Sequence, residues 1–156
     1  MFRQGSAEKS IFKDLTPADL ALLEPLCEAV CLHQNQVIFD QGRNADYLYI
    51  LLEGEVVVNY KPYDGPELTV GRIRPGGVFG WSAILGRQVY TALAVATVES
   101  TGIRIRGAEL RTLCESKPQT GLAILEKLAE GIAERLNSTR GQIFTMLVES
   151  MDLALR

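Results

Sequence analysis

Glycine-bearing turns divide the chain between Val37 and Arg106 into short apolar runs, and this punctuation constrains the fold more than any other feature. Val37-Ile38-Phe39 stops at Asp40-Gln41-Gly42, and Tyr47–Leu52 stops at Glu53-Gly54-Glu55, where Val56-Val57-Val58 answers it. Asp64-Gly65-Pro66 precedes Leu68–Ile73, and Arg74-Pro75-Gly76-Gly77 breaks the chain again. Tyr90–Val98 and Gly102–Arg106 complete the set. β-branched and aromatic residues suit a pleated, half-buried surface, and Gly and Pro supply the turn conformations between runs. Short strands at this spacing predict a closed barrel or a jelly roll.

Helical patterning flanks the strands. Leu15–Leu32 opens with Thr16-Pro17-Ala18-Asp19, in which Thr16 caps, Pro17 suits the first helical position and Asp19 faces the positive end of the dipole. Leu20, Leu23, Leu26, Cys27 and Val30 then recur at helical spacing, which predicts one amphipathic helix up to Leu32. A short helix is expected over Glu109–Glu115, ending before Pro118. Thr120 to about Glu149 reads as one long helix, bent near Gly141, with Leu125, Leu128, Ile132, Leu136, Thr139, Ile143 and Met146 as the seam of a helix pair. The expectation is a single mainly-β domain over residues 11–149, with the barrel at about 33–106, helices at about 107–149, and tails at 1–10 and 150–156.

Composition removes several function classes. The net charge of −3 opposes a general polyanion binder, since phosphate-backbone affinity needs clustered cations. No apolar run approaches the roughly 20 residues needed to span a bilayer, and Met1–Ser10 is polar and lacks a signal-peptide core, so no membrane partner and a cytoplasmic protein are expected. Cys27, Cys31 and Cys114 make neither a CxxC pair nor a disulfide framework and read as small apolar side chains, with Cys27 and Cys31 on one helix face. One histidine, His33, cannot build the metal centre of a barrel enzyme of the cupin type, nor a haem or cluster site. It reads as a polar strand residue. No catalytic residues, metal site or required cofactor are expected, and the chain is read as not an enzyme.

The stretch from Arg74 to Leu85, RPGGVFGWSAIL, carries the chemistry. A Gly-rich turn leads into one helical turn starting near Gly80, where the first amides lack intrahelical acceptors and favour a phosphate or carboxylate. Ser82 adds a hydroxyl. By itself this segment reads equally as an anion site or as a plain strand-to-helix turn.

Three blocks, Ile38-Phe39-Asp40-Gln41-Gly42, Tyr47–Gly54 and Pro75-Gly76-Gly77-Val78-Phe79-Gly80, with the spacing between them, resemble the cyclic-nucleotide-binding domain of the Crp/Fnr superfamily over Ile11–Val148. The resemblance implies a jelly roll with an N-terminal helix and a long C-terminal dimerisation helix. It also implies a cyclic nucleotide held in a phosphate cassette after the Phe-Gly pair. In that family a Glu follows and holds the ribose hydroxyl, and an Arg about ten residues on pairs with the phosphate. Here Trp81 and Tyr90 stand at those positions, while Thr91 matches the small polar residue after the Arg. The Trp81-Ser82 form resembles the branch whose effectors are often not cyclic AMP. Trp81 either stacks on a base or packs a closed pocket. Arg87 either reaches the anion or is a solvated charge. Thr139, with Arg140 beside it, aligns with an adenine-contacting Thr of catabolite-activator-like proteins, or interrupts the dimer seam. The implied ligand-binding set is Gly80, Trp81, Ser82, Ala83, Arg87, Tyr90, Thr91, Thr139 and Arg140.

A main reading and its alternatives remain open. The main reading is a ligand-sensing regulatory domain that binds a cyclic or related nucleotide and relays occupancy through a homodimer helix to an unknown downstream protein. The alternatives are a dimerisation or protein-interaction module with a degenerate pocket, or the sensor half of a Crp/Fnr transcriptional regulator. No recognition helix follows Glu149, so direct DNA binding is not expected.

Overall fold

The structure, a computed structural model, describes residues 15–128. It opens with helix α1 (Pro17–Leu23) and a 3₁₀ turn (Glu24–Leu26), then runs through eight strands: β1 (Cys27–Leu32), β2 (Val37–Phe39), β3 (Tyr47–Glu53), β4 (Val56–Tyr60), β5 (Leu68–Ile73), β6 (Val78–Phe79), β7 (Leu93–Ala96) and β8 (Ser100–Arg106). Helix α2 (Gly107–Ser116) follows, and residues 118–128 are helical again.

The strands form two four-stranded antiparallel sheets, β1-β8-β3-β6 and β2-β7-β4-β5. Each strand of the first half pairs with one of the second half, which is the double Greek key of a jelly roll rather than a single closed barrel. The first sheet is covered on both faces. Leu48, Ile50, Ile103 and Ile105 face Leu15 and a helical layer of Leu23, Leu110, Leu113, Ile124 and Leu128. Alternate residues Tyr49, Leu51 and Phe79 face Val56, Val58, Ala94 and Ala96 of the second sheet. The period of two along β3 therefore separates two cores.

The N-terminal helix differs from the sequence expectation. Thr16 caps it, with Oγ1 accepting from the amide of Asp19 at 3.1 Å, and Pro17 sits in its first turn. It ends at Leu23, not Leu32. Pro25 lacks an N–H and its ring would clash with the carbonyl four residues back, so the helix tightens into the 3₁₀ turn and stops. Cys27–Leu32 is a strand whose backbone is satisfied by β8, in register from Cys27↔Ile105 to Leu32↔Ser100. The sandwich thus begins at Cys27, not near residue 33. Cys27 is buried and Cys31 exposed, so the pair shares no helix face. His33 lies just past β1, with Nδ1 3.2 Å from Glu99 Oε2. The expected strand Tyr90–Val98 shortens to Leu93–Ala96, and the two-residue β6 had no sequence signal of its own.

Candidate functional site

β6 pairs with β3 through Tyr49↔Phe79 and Ile50↔Val78, and the chain then leaves the sheet at Gly80. Gly80 has φ +82°, and a Cβ there would lie 2.9 Å from the carbonyl oxygen of Tyr47 and 3.3 Å from the Tyr49 ring. Both the left-handed backbone and the close approach call for glycine. Trp81–Ala83 then forms a 3₁₀ turn, with Ser82 and Ala83 buried. The amides of Ala83 and Ile84 bond back to Gly80 and Trp81, whereas those of Trp81 and Ser82 meet no acceptor among the described residues. A turn with two unused, neighbouring N–H groups is the elementary anion cradle of a helix start.

The nine residues expected around this turn have different fates. Gly80, Trp81, Ser82 and Ala83 form it. Arg87 is exposed on the following loop, and its amide donates to the Ser82 carbonyl at 3.1 Å, folding the loop back on the turn. Thr91 is exposed one residue after Tyr90. Thr139 and Arg140 lie outside the described residues.

Tyr90 points inward. Only 4% of it is exposed, its ring stacks on Phe39 at 3.8 Å between centroids, and Phe39, Tyr49 and Phe79 continue the aromatic cluster. Burial pushes its hydroxyl up to about 12. That hydroxyl donates to the Tyr47 carbonyl at 2.6 Å and accepts from the Tyr47 amide at 3.0 Å. Trp81 packs against the helical core, with its indole Nε1 buried and unpartnered among the described residues.

Three groups around the turn escaped the sequence reading. Arg111 of α2 donates from Nη1 to the Ala83 carbonyl, and Gly107, one turn earlier, lies against the same carbonyl. Arg43 is joined to the cassette by its carbonyl, which accepts from the Tyr90 amide at 2.8 Å. None of these carries a local motif. A groove of about 530 Å³ by the β4–β5 hairpin shares no residue with the turn. It carries Asp40 and Glu67 against Lys61 alone, a poor balance for an anion.

Comparison with known proteins agrees with this fold. The family profile of the cyclic nucleotide-binding domain matches residues 29–117, more than half of the chain. The chain belongs to the cyclic nucleotide-binding domain family. A CRP-like cAMP-activated global transcriptional regulator of Mycobacterium tuberculosis is 25% identical over 139 residues, covering 89% of this chain and 62% of that protein. The chain therefore spans under two thirds of that regulator. A Geobacter metallireducens crystal structure, provisionally named a cyclic nucleotide-binding protein, superposes with TM-score 0.74 at 29% identity, covering 87% of this chain and 99% of that one. A cyclic nucleotide-binding domain from Methylobacillus flagellatus shares the fold at TM-score 0.75 and 18% identity, covering 90% and 79%.

Proposed function

We propose that this chain is a non-enzymatic, cytoplasmic sensor domain that holds the phosphate of a cyclic or related nucleotide at the turn Gly80–Ala83 and relays occupancy to its C-terminal helices. The observation that carries this reading is the pair of unused amides at Trp81 and Ser82, in a turn opened by a glycine; the sequence resemblance assigns this segment to the phosphate cassette. Thr91 and Arg87 supply a hydroxyl and a charge beside the turn; Thr139 and Arg140, which the family resemblance adds to the site, lie outside the described residues. Three contacts support a relay: Trp81 packs into the helical core, and Gly107 and Arg111 of α2 both meet Ala83.

Homodimerisation is part of the proposal, with one adjustment. In the helical run 118–128, Ile124 and Leu128 are fully buried in the chain's own core, while Leu122 and Leu125 are 61% and 38% exposed. Leu125 can begin a seam between two copies, whereas Leu128 cannot.

A second reading rests on Tyr90. With the signature cation replaced by a buried aromatic, the domain serves as a dimerisation module with no ligand. A thermal-shift panel of cyclic AMP, cyclic GMP, cyclic dinucleotides and linear nucleotides separates the two. A ligand specific to the folded state raises Tm in proportion to RT ln(1 + [L]/Kd). A shift with one nucleotide, lost when Ser82→Pro removes an amide, supports the sensor; no shift at millimolar concentration supports the module.

A further inference from the structure

We propose that Arg111 is a positioning residue for the cassette, its guanidinium holding the Ala83–Ile84 peptide so that the Trp81 and Ser82 amides stay turned toward an anion. The proposal rests on the nucleotide-binding reading above, and it names a device within that site.

A three-residue 3₁₀ turn has little stability of its own. Its hydrogen bonds are poorly aligned, and fixing a first turn is unfavourable before any propagation. Here propagation is short: the Leu85 amide bonds to Trp81 and that of Arg87 to Ser82, and Gly80 before the turn and Gly86 after it both take positive φ, +82° and +77°. Contacts from outside the loop add to what orders the turn. Gly107 and Arg111 are four residues apart and share one face of α2. A Cβ on Gly107 would stand 2.3 Å from the Ala83 carbonyl oxygen, so α2 starts in direct contact with that peptide. Arg111 reaches the same oxygen.

The choice of partner matters. Arg111 makes no ion pair among the described residues, and its charge is directed to a neutral carbonyl. Arg106, at the N-cap of α2, is instead bonded to the Tyr47 hydroxyl at 2.7 Å. A charge-assisted bond is stronger than a neutral one. A cation at the carbonyl end and an anion at the amide end polarise the turn's peptides in the same sense. Arg111 therefore favours anion binding without touching the anion.

The first arm of the test needs no ligand. Arg111→Gln should raise hydrogen exchange of the bonded Ala83 and Ile84 amides by about tenfold, the weight of one bond to a charged group at a part-exposed site, and increase acrylamide quenching of Trp81, the chain's one tryptophan. Exchange in both sheets should stay unchanged, and Arg111→Lys, which keeps a charged donor, should recover part of the protection. Arg72→Gln, on the far sheet, is the control. Unchanged exchange at Ala83 and Ile84 in Arg111→Gln overturns the proposal, and so does a uniform rise across the domain. In the second arm, calorimetry with cyclic AMP should show Arg111→Gln weakening binding about tenfold; equal affinity in wild type and variant overturns it. Failure of the wild type to bind any nucleotide defeats the sensor reading, and the exchange arm then decides alone whether Arg111 holds the turn.

Discussion

A single hydroxyl, that of Tyr90, satisfies both backbone polar groups of Tyr47, donating to its carbonyl at 2.6 Å and accepting from its amide at 3.0 Å. Tyr47 begins β3 beyond the reach of β6, whose register ends at Tyr49↔Phe79, and Gly80 covers the same carbonyl. Tyr90 thus does for this end of β3 what a neighbouring strand does further along, and it ties the far end of the cassette loop to the sheet. Tyr90→Phe keeps the stacked ring and removes the clamp. Unfolding in urea should show a loss of about 1–3 kcal/mol, the effect of leaving buried backbone groups without a partner.

Restoring the family's signature pair should couple stability to ligand. Tyr90→Arg with Trp81→Glu buries a guanidinium where Tyr90 is 4% exposed, which is strongly unfavourable until an anion pairs with it. Without nucleotide the double variant should melt below wild type. With cyclic AMP it should recover, and calorimetry should show affinity at least tenfold above wild type, as a charge-assisted contact gives. A folded double variant with no gain would mean that packing has taken over the pocket.

Alkaline pH should destabilise the fold. Burial raises Tyr90 from 10.0 to about 12 and, with help from Glu24, raises Cys27 from 9.0 to about 12. Both groups are neutral acids held protonated by the fold, so their stabilising effect is complete below the unfolded values. It is lost as pH rises from about 9 toward 12, where the unfolded chain ionises first. Urea midpoints measured from pH 8 to 11 should fall, and the fall above pH 10 should be shallower in Tyr90→Phe.

Thiol labelling should separate the cysteines. Cys31 is exposed on β1, whereas Cys27 is buried, with Sγ 3.5 Å from the Leu23 carbonyl. At pH 8 an alkylating reagent read by mass spectrometry should modify Cys31 at the rate of an unfolded peptide. Cys27 should react only through unfolding, at least a hundredfold more slowly, because the thiolate is the nucleophile and burial disfavours it.

Leu125 and Leu128 should behave differently although both belong to the apolar repeat of one helix. Leu125→Glu should abolish dimers in sedimentation with little change in Tm. Leu128→Ala should leave association intact and lower stability by about 2–5 kcal/mol, the range for a buried Leu truncated to Ala.

Turns and caps were legible because they are local. Gly42, Gly54 and Gly76 all take positive φ, and Thr16 with Pro17 starts α1, since each depends on one residue's own steric freedom or on a bond three residues away. Those turns delimited most strands correctly, and with the three blocks Ile38–Gly42, Tyr47–Gly54 and Pro75–Gly80 they were enough to point to the family. β1 was not legible: Leu26, Cys27 and Val30 suit a helix by spacing, and only the clash at Pro25 and the open edge of β8, more than 65 residues away at Ile105, made the segment extended.

The site divides the same way. Gly80 and the turn after it could be read from their own residues, because the first amides of any helical turn lack an intrahelical acceptor and a glycine suits the left-handed backbone before it. That Tyr90 turns into the aromatic cluster, that Leu128 faces inward, and that Arg111 reaches Ala83 were decided only in three dimensions. A side chain's direction and partner depend on which distant surfaces the packed sheets and helices bring within a few ångströms, and a sequence window holds no information about those surfaces.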